Sequence, residues 1–131
     1  MLSYFTETDP MEPKKHHPLY KSFYYAFQGI WEVLINERNF KIQVSIGILA
    51  VILGFVLKIS FSDWAILTFT ITLVLVFELA NTVVEELVDM VSPEIRDRAK
   101  VAKDVSASAV LLASIGSIAI GLLIFLPKVL H

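Results

Sequence analysis

This chain predicts an all-α integral membrane protein: an N-terminal interfacial amphipathic helix followed by three transmembrane helices. Three observations carry that expectation. The 131 residues are 56% hydrophobic and only 18% charged, with a mean hydropathy of +0.68. That is too apolar for a soluble domain of this size. The stretch from Trp64 to Phe77 contains no charge at all. Apolar stretches recur over about 40–57, 64–90 and 104–126, each long enough to cross a hydrocarbon layer of roughly 30 Å at ~1.5 Å per residue.

Residues 1–18 contain three prolines and mixed charge and are expected to form a flexible arm. The membrane domain then occupies residues 19–131. Over 19–36, Leu19, Phe23, Phe27, Ile30 and Leu34 recur at helical spacing, with Lys21, Gln28 and Glu32 opposite. This pattern predicts a helix lying in the membrane interface, with Trp31 at headgroup depth. A helix packed on the bundle from the aqueous side is the alternative. Asn36-Glu37-Arg38-Asn39 is a polar break before span 1. A short turn over 58–63 leads to span 2, which reaches Met90. Ser92-Pro93 ends that span, because proline disfavours helix at the residue before it. A charged connection, Glu94 to Lys103, itself expected to be helical, precedes span 3, and Pro127 closes it. Within span 3, Ala109, Ala113, Ser117 and Gly121 repeat every four residues. Small residues at this spacing allow close helix approach, within the chain or between copies.

The basic residues set an expected orientation. Lys14, Lys15, Lys21, Arg38 and Lys41 precede span 1, and Arg96, Arg98, Lys100 and Lys103 join spans 2 and 3. Only Lys58 and Lys128 fall on the other side. The positive-inside rule then places the N-terminus in the cytoplasm and the C-terminus outside. No secretory signal peptide is expected, since the first long apolar stretch starts near Ile42 after a polar opening.

Span 2 carries the chemistry. Glu78, Asn81, Glu85 and Asp89 follow its uncharged run, and at about 100° per residue they share roughly 80° of arc. Insertion scales make each charge at a helix centre unfavourable by about 2.5–3.5 kcal/mol. A stripe of this kind therefore points to partners, metal or function. Glu78 is the deepest. Burial without a cationic partner raises a carboxyl's pKa, which suits a general base working near neutrality. Glu85 with a second carboxylate from Glu37 could hold a hard cation such as Mg²⁺, which takes one or two carboxylates with phosphates and water. A structural polar network between helices is the competing interpretation. Lys103-Asp104 could contact phosphates, or Asp104 could simply cap span 3 beside a solvated lysine.

Other features exclude function classes. The absence of cysteine removes disulfides and thiolate metal sites. His16, His17 and His131 lie at the chain ends and read as tail residues. Trp64 and Phe61 fit an interfacial belt. None of the five glycines begins a G-x-x-x-x-G-K-[ST] loop, and protein-kinase signatures are missing. No basic stripe suggests nucleic acid.

Glu78-Leu-Ala-Asn81-Thr-Val-Val-Glu85 with Val88-Asp89 resembles the signature E-x-x-N-[ST]-x-[IVL]-E-x-x-[VI]-D of the prokaryotic diacylglycerol kinase family. Ala102 to Val110 resembles its A-K-D-x-x-[AS]-x-A-V segment, and Asn36 to Phe40 its N-E-x-x-[FM] segment. The resemblance extends over about Lys21 to Lys128. It implies a bacterial plasma-membrane lipid kinase, active as a homotrimer, that uses MgATP. Carried over by position, Glu78 resembles the catalytic base and Asn81 a motif asparagine near the reacting groups. Glu37 and Glu85 match the acidic residues that hold Mg²⁺. Tyr25, Asp89, Glu94, Arg96, Lys103 and Asp104 fall at nucleotide-binding positions. Pro18 stands where some members have a basic residue, and Ser106 and Ser108 where many have glycine or alanine. The forms Glu37-Arg-Asn-Phe40 and Phe125-Leu-Pro-Lys128 look like the Gram-positive branch, several of whose members prefer undecaprenol.

The expected activity is transfer of the γ-phosphate of ATP to the hydroxyl of undecaprenol. The same chemistry on diacylglycerol is the near alternative. A small proton- or cation-coupled transporter built on Glu78 belongs to a different class, although its site should lie nearer the midplane. A non-catalytic scaffold would leave the acidic stripe unexplained.

Overall fold

A computed structural model of the chain describes residues 18–91 and 96–131. The described residues form four α-helices: α1 (Leu19–Asn36), α2 (Arg38–Val56), α3 (Phe61–Val91) and α4 (Arg96–Val129). The last three are long and apolar enough to cross a membrane. The chain divides into two compact units, one ending at Glu37 and the other spanning Arg38–His131. The expected arm over 1–18 lies, but for Pro18, outside the described residues.

In the first unit, α1 has no side-chain cap at its start. The Lys21 amide instead donates to the Pro18 carbonyl at 3.0 Å. Leu19, Phe23, Phe27 and Trp31 are all exposed. The helix stops at Glu37, whose extended backbone (φ −101°, ψ 112°) breaks the path while its amide still bonds the Val33 carbonyl at 2.8 Å. Asn36 Nδ2 donates back to both the carbonyl and the carboxylate of Glu32.

In the second unit, α2 packs on α3 and α3 packs most extensively on α4. The α2–α3 turn is a Schellman-type ending. The Ile59 amide donates to the Gly54 carbonyl at 3.2 Å, and the Lys58 amide to the Phe55 carbonyl at 3.4 Å. Lys58 takes the left-handed conformation, φ 52°, that this ending requires. Trp64 folds over the turn: a Cβ at Gly54 would lie 2.8 Å from its Cη2. Trp64 therefore packs on Gly54 and Phe55, a tertiary role that an aromatic belt alone does not include.

Three sequence expectations need correction. Helix α3 begins at Phe61, inside the expected turn, because the Trp64 amide already bonds the Ser60 carbonyl at 3.0 Å. The charged connection is helical from Arg96, where α4 begins, so Asp104 lies two turns in and does not cap the helix. Pro127 sits within α4, which continues to Val129. A proline removes one N–H and disturbs one preceding carbonyl. So near the helix end the disturbance stays local, and the Leu130 amide still reaches the Leu126 carbonyl at 3.0 Å.

Several hydroxyls inside the spans are satisfied by their own helices. Ser45 donates to Lys41, Thr70 to Ile66, Thr72 to Thr68 and Thr82 to Glu78 carbonyls, all at 2.7–3.0 Å. Such back-bonding is how a membrane helix tolerates polar side chains. Close helix approach occurs at Gly47 and Gly54 of α2, where an added Cβ would meet Ile71 and Trp64 of α3. Gly121, in the small-residue stripe of α4, instead has no neighbour within 4 Å of where its Cβ would be.

Candidate active site at the polar end of helix α3

The 31 residues of α3 extend roughly 46 Å at ~1.5 Å per residue. That exceeds a ~30 Å hydrocarbon layer, so the polar end has length to reach past it. Where the apolar part ends, three polar residues are buried together: Glu78, Asn81 and Thr82, at 5%, 8% and 5% exposure. They face inward because they continue the α3 face of Leu67, Ile71 and Val74, which packs toward α2 and α4.

Asn81 Nδ2 donates to Glu85 Oε1 at 3.1 Å. Asn81 Oδ1 is buried with no hydrogen-bond partner in the structure. A buried carbonyl oxygen without a donor is costly, and this one is available to accept from a further group. One turn further, Asp89 accepts from Lys103 of α4 at 2.5 Å. Glu85 is half-buried between the buried trio and this ion pair. The charge around it is thus mixed: two carboxylates, one ammonium and a carboxamide on adjoining helix faces.

The structure brings together Glu78, Asn81, Glu85, Asp89 and Lys103. Asp104 faces elsewhere and accepts from Lys100 at 2.6 Å. Arg96 is the exposed first residue of α4. Tyr25, 44% exposed on α1, and Glu37 at its end belong to the first unit. Glu94 lies outside the described residues. Among the described residues no three His, Asp or Glu side chains gather into a metal cage. The oxygens present are nonetheless hard donors, and the unpartnered Asn81 Oδ1 beside Glu85 suits an ion that keeps phosphates and water as its other ligands.

Two features were missed from sequence. Thr82 is buried and tied to the Glu78 carbonyl. Gln43 of α2 donates from Nε2 to Ser114 Oγ of α4 at 3.2 Å. Gln43 is a lone amide in an apolar span, and that isolation was the available signal. Below this bond, α2, α3 and α4 enclose a mainly apolar cleft of about 210 Å³, lined by Gln43, Leu67, Ile71, Val74, Ser117 and Gly121 among others.

The profile of the prokaryotic diacylglycerol kinase family matches residues 24–125. The chain belongs to that family. An undecaprenol kinase of Bacillus subtilis (strain 168) is 38% identical over 122 residues, covering 90% of this chain and 99% of that protein. A diacylglycerol kinase of Synechocystis sp. (strain ATCC 27184 / PCC 6803 / Kazusa) is 36% identical over 83% of this chain and 63% of its own length. A diacylglycerol kinase of Helicobacter pylori (strain ATCC 700392 / 26695) is 30% identical over 81% of this chain and 83% of its own length. The chain is a membrane lipid kinase, a phosphotransferase, and the transporter and scaffold alternatives give way to that class.

Proposed function

We propose that the chain transfers the γ-phosphate of ATP to the hydroxyl of undecaprenol, giving undecaprenyl phosphate. The observation that carries this is the buried Glu78–Asn81–Thr82 group at the point where an apolar span turns polar. A lipid alcohol held in the bilayer would present its hydroxyl at that level. As its oxygen attacks the γ-phosphorus, the bond from that phosphorus to the β–γ bridging oxygen breaks and ADP leaves. Glu78 takes the hydroxyl proton. Asn81 orients Glu85 through its amide. Lys103, now on Asp89, would turn its ammonium to the phosphates of the nucleotide. Reactions of this kind depend mainly on positioning and electrostatics. Glu85 and Glu37 are the residues that would hold Mg²⁺. The ion, when bound with the nucleotide, supplies charge neutralisation at the phosphates.

Tyr25, Asp89, Glu94, Arg96 and Asp104 complete the proposed nucleotide site. The working unit is a homotrimer in the bacterial plasma membrane, with α1 in the interface, residues 19–131 as one kinase domain, the N-terminus cytoplasmic and the C-terminus outside. Undecaprenol is favoured by the similarity to a relative of that name along nearly the whole chain. Diacylglycerol is the second reading, favoured by the relatives that carry its name. The test is ADP release from MgATP by purified protein with undecaprenol, with dioleoylglycerol and without lipid. Turnover chiefly with dioleoylglycerol would reverse the substrate. No lipid-dependent turnover from folded protein would overturn the proposal.

A further inference from the structure

Helix α4 turns one row of residues toward α3. Ser106, Val110, Ala113, Ser117, Ile120 and Ile124 recur in steps of four and three, the spacing of a single helix face. Each is half-buried or buried, whereas Asp104, Val105, Ala107 and Ser108 around Ser106 are exposed. Ile124 is buried in a cluster with Leu67 of α3, and Ile120 packs against that cluster. Ser106 therefore belongs to the face that packs on α3. Lys103, three residues earlier, heads the same row.

The register of the two helices sets the depth of Ser106. Helices α3 and α4 run antiparallel, meeting at Asp89 and Lys103 toward the polar end and at Leu67 and Ile124 toward the other. The lengths between these points, 22 residues of α3 and 21 of α4, agree to within one residue. Ser106 then lies ~4.5 Å from the ion pair toward the apolar side, and Glu85 ~6 Å from it. The two are level. The Lys103 ammonium interacts electrostatically with Glu85 as well as with Asp89. On α4, the Ser108 and Ser117 hydroxyls donate to the Val105 and Ser114 carbonyls at 2.6 and 2.7 Å. Among the described residues the Ser106 hydroxyl makes no such bond, so its proton is uncommitted.

We infer that Ser106 is a further nucleotide-binding residue, whose hydroxyl donates to a β-phosphate oxygen between Lys103 and Glu85. The inference rests on the lipid-kinase reading with Glu78 as base. Glu78 lies about 12 Å beyond Ser106 toward the apolar side. The lipid hydroxyl meets Glu78 from the bilayer, and the nucleotide comes from the polar end. In-line transfer then puts the leaving group on the Ser106 side. As the bond from the γ-phosphorus to the bridging oxygen breaks, its electron pair stays with that oxygen, and the ADP β-phosphate gains charge. A hydroxyl donor there binds more strongly as that charge grows. The neighbouring carboxylates only accept hydrogen bonds and cannot take this role. Ser106 occupies an unspecified position of the A-K-D-x-x-[AS]-x-A-V segment, so this contact is one that the chain adds to the motif.

Ser106→Ala removes the hydroxyl and keeps the helix, since alanine is the better helix former. The KM for ATP and the dissociation constant of MgADP should each rise about tenfold, the lower end for a hydrogen bond to a charged group. The KM for undecaprenol and the thermal midpoint should not move. Ser106→Thr, which keeps a hydroxyl, should bring both nucleotide values back to within about threefold of the unaltered protein. A purely structural serine would not give this split. A folded Ser106→Ala protein with both values within twofold of normal overturns the inference, as does a threonine variant no better than the alanine one. A second measurement uses the absence of cysteine from the chain, because Ser106→Cys then carries a single thiol. Saturating MgADP should slow its alkylation by iodoacetamide at least fivefold, while Ser108→Cys, on the exposed side, reacts at one rate throughout. Equal rates for Ser106→Cys with and without MgADP overturn the inference. Failure of the unaltered protein to bind MgADP, or to release it with any lipid, would instead remove the lipid-kinase reading of the site.

Discussion

Glu78→Gln isolates the proposed base with little structural disturbance. The side chain is 5% exposed and flanked by buried Asn81 and Thr82. A shape-matched amide keeps the packing and the Thr82 hydroxyl's bond to the Glu78 carbonyl, because that bond uses backbone. What the amide loses is the capacity to accept a proton. General-base catalysis contributes typically 10²–10⁴ in rate, so the barrier should rise by about 3–5 kcal/mol. Coupled ADP release at saturating MgATP and lipid would read this as a fall in kcat of a hundredfold or more. Nucleotide affinity should stay within about threefold, because Lys103 and Asp89 are about three helical turns away. Binding of a fluorescent ATP analogue to the variant checks that point. A folded Glu78→Gln protein with kcat within tenfold of normal would refute the base role.

Other outcomes follow from the same geometry. Asn81→Asp sets a second carboxylate against Glu85, 3.1 Å from the present amide, and should cut turnover more than tenfold in the same assay. Lys103→Met should raise the KM for ATP several-fold and leave the lipid KM unchanged. Its pair with Asp89 is 40% and 62% exposed, and exposed pairs contribute little to stability because water screens them, so the thermal midpoint should barely move. A large midpoint loss would mean that the pair is chiefly structural. Gly54→Val meets Trp64 at 2.8 Å from its Cβ alone and should destabilise by about 1–3 kcal/mol, as overpacking does. Lys58→Gly relieves a left-handed residue, and thermal melting in detergent should show an equal or higher midpoint.

The helices and the stripe were legible in the sequence because both are local. Hydropathy marks a span without reference to its neighbours. Helical spacing alone puts Glu78, Asn81, Glu85 and Asp89 on one face. The ends were less legible. Phe61 starts α3 through a bond from Trp64 to Ser60, and α4 passes through Pro127, because a terminal turn depends on which few carbonyls find donors.

Charge spacing on one strand of sequence determined that this protein has a polar face on a membrane helix, and the order of its motifs pointed to a lipid kinase. Which groups meet across helices was a matter for tertiary structure alone. The pairing of Asp89 with Lys103, of Gln43 with Ser114, and the seating of Trp64 on Gly54 each join separate helices. So does the apolar cleft between α2, α3 and α4. The physical reason is that periodicity specifies a residue's angle about its own helix, whereas contact also needs the depth and separation of the neighbouring helix. Those are set by small residues at the crossing and by side-chain volumes across it.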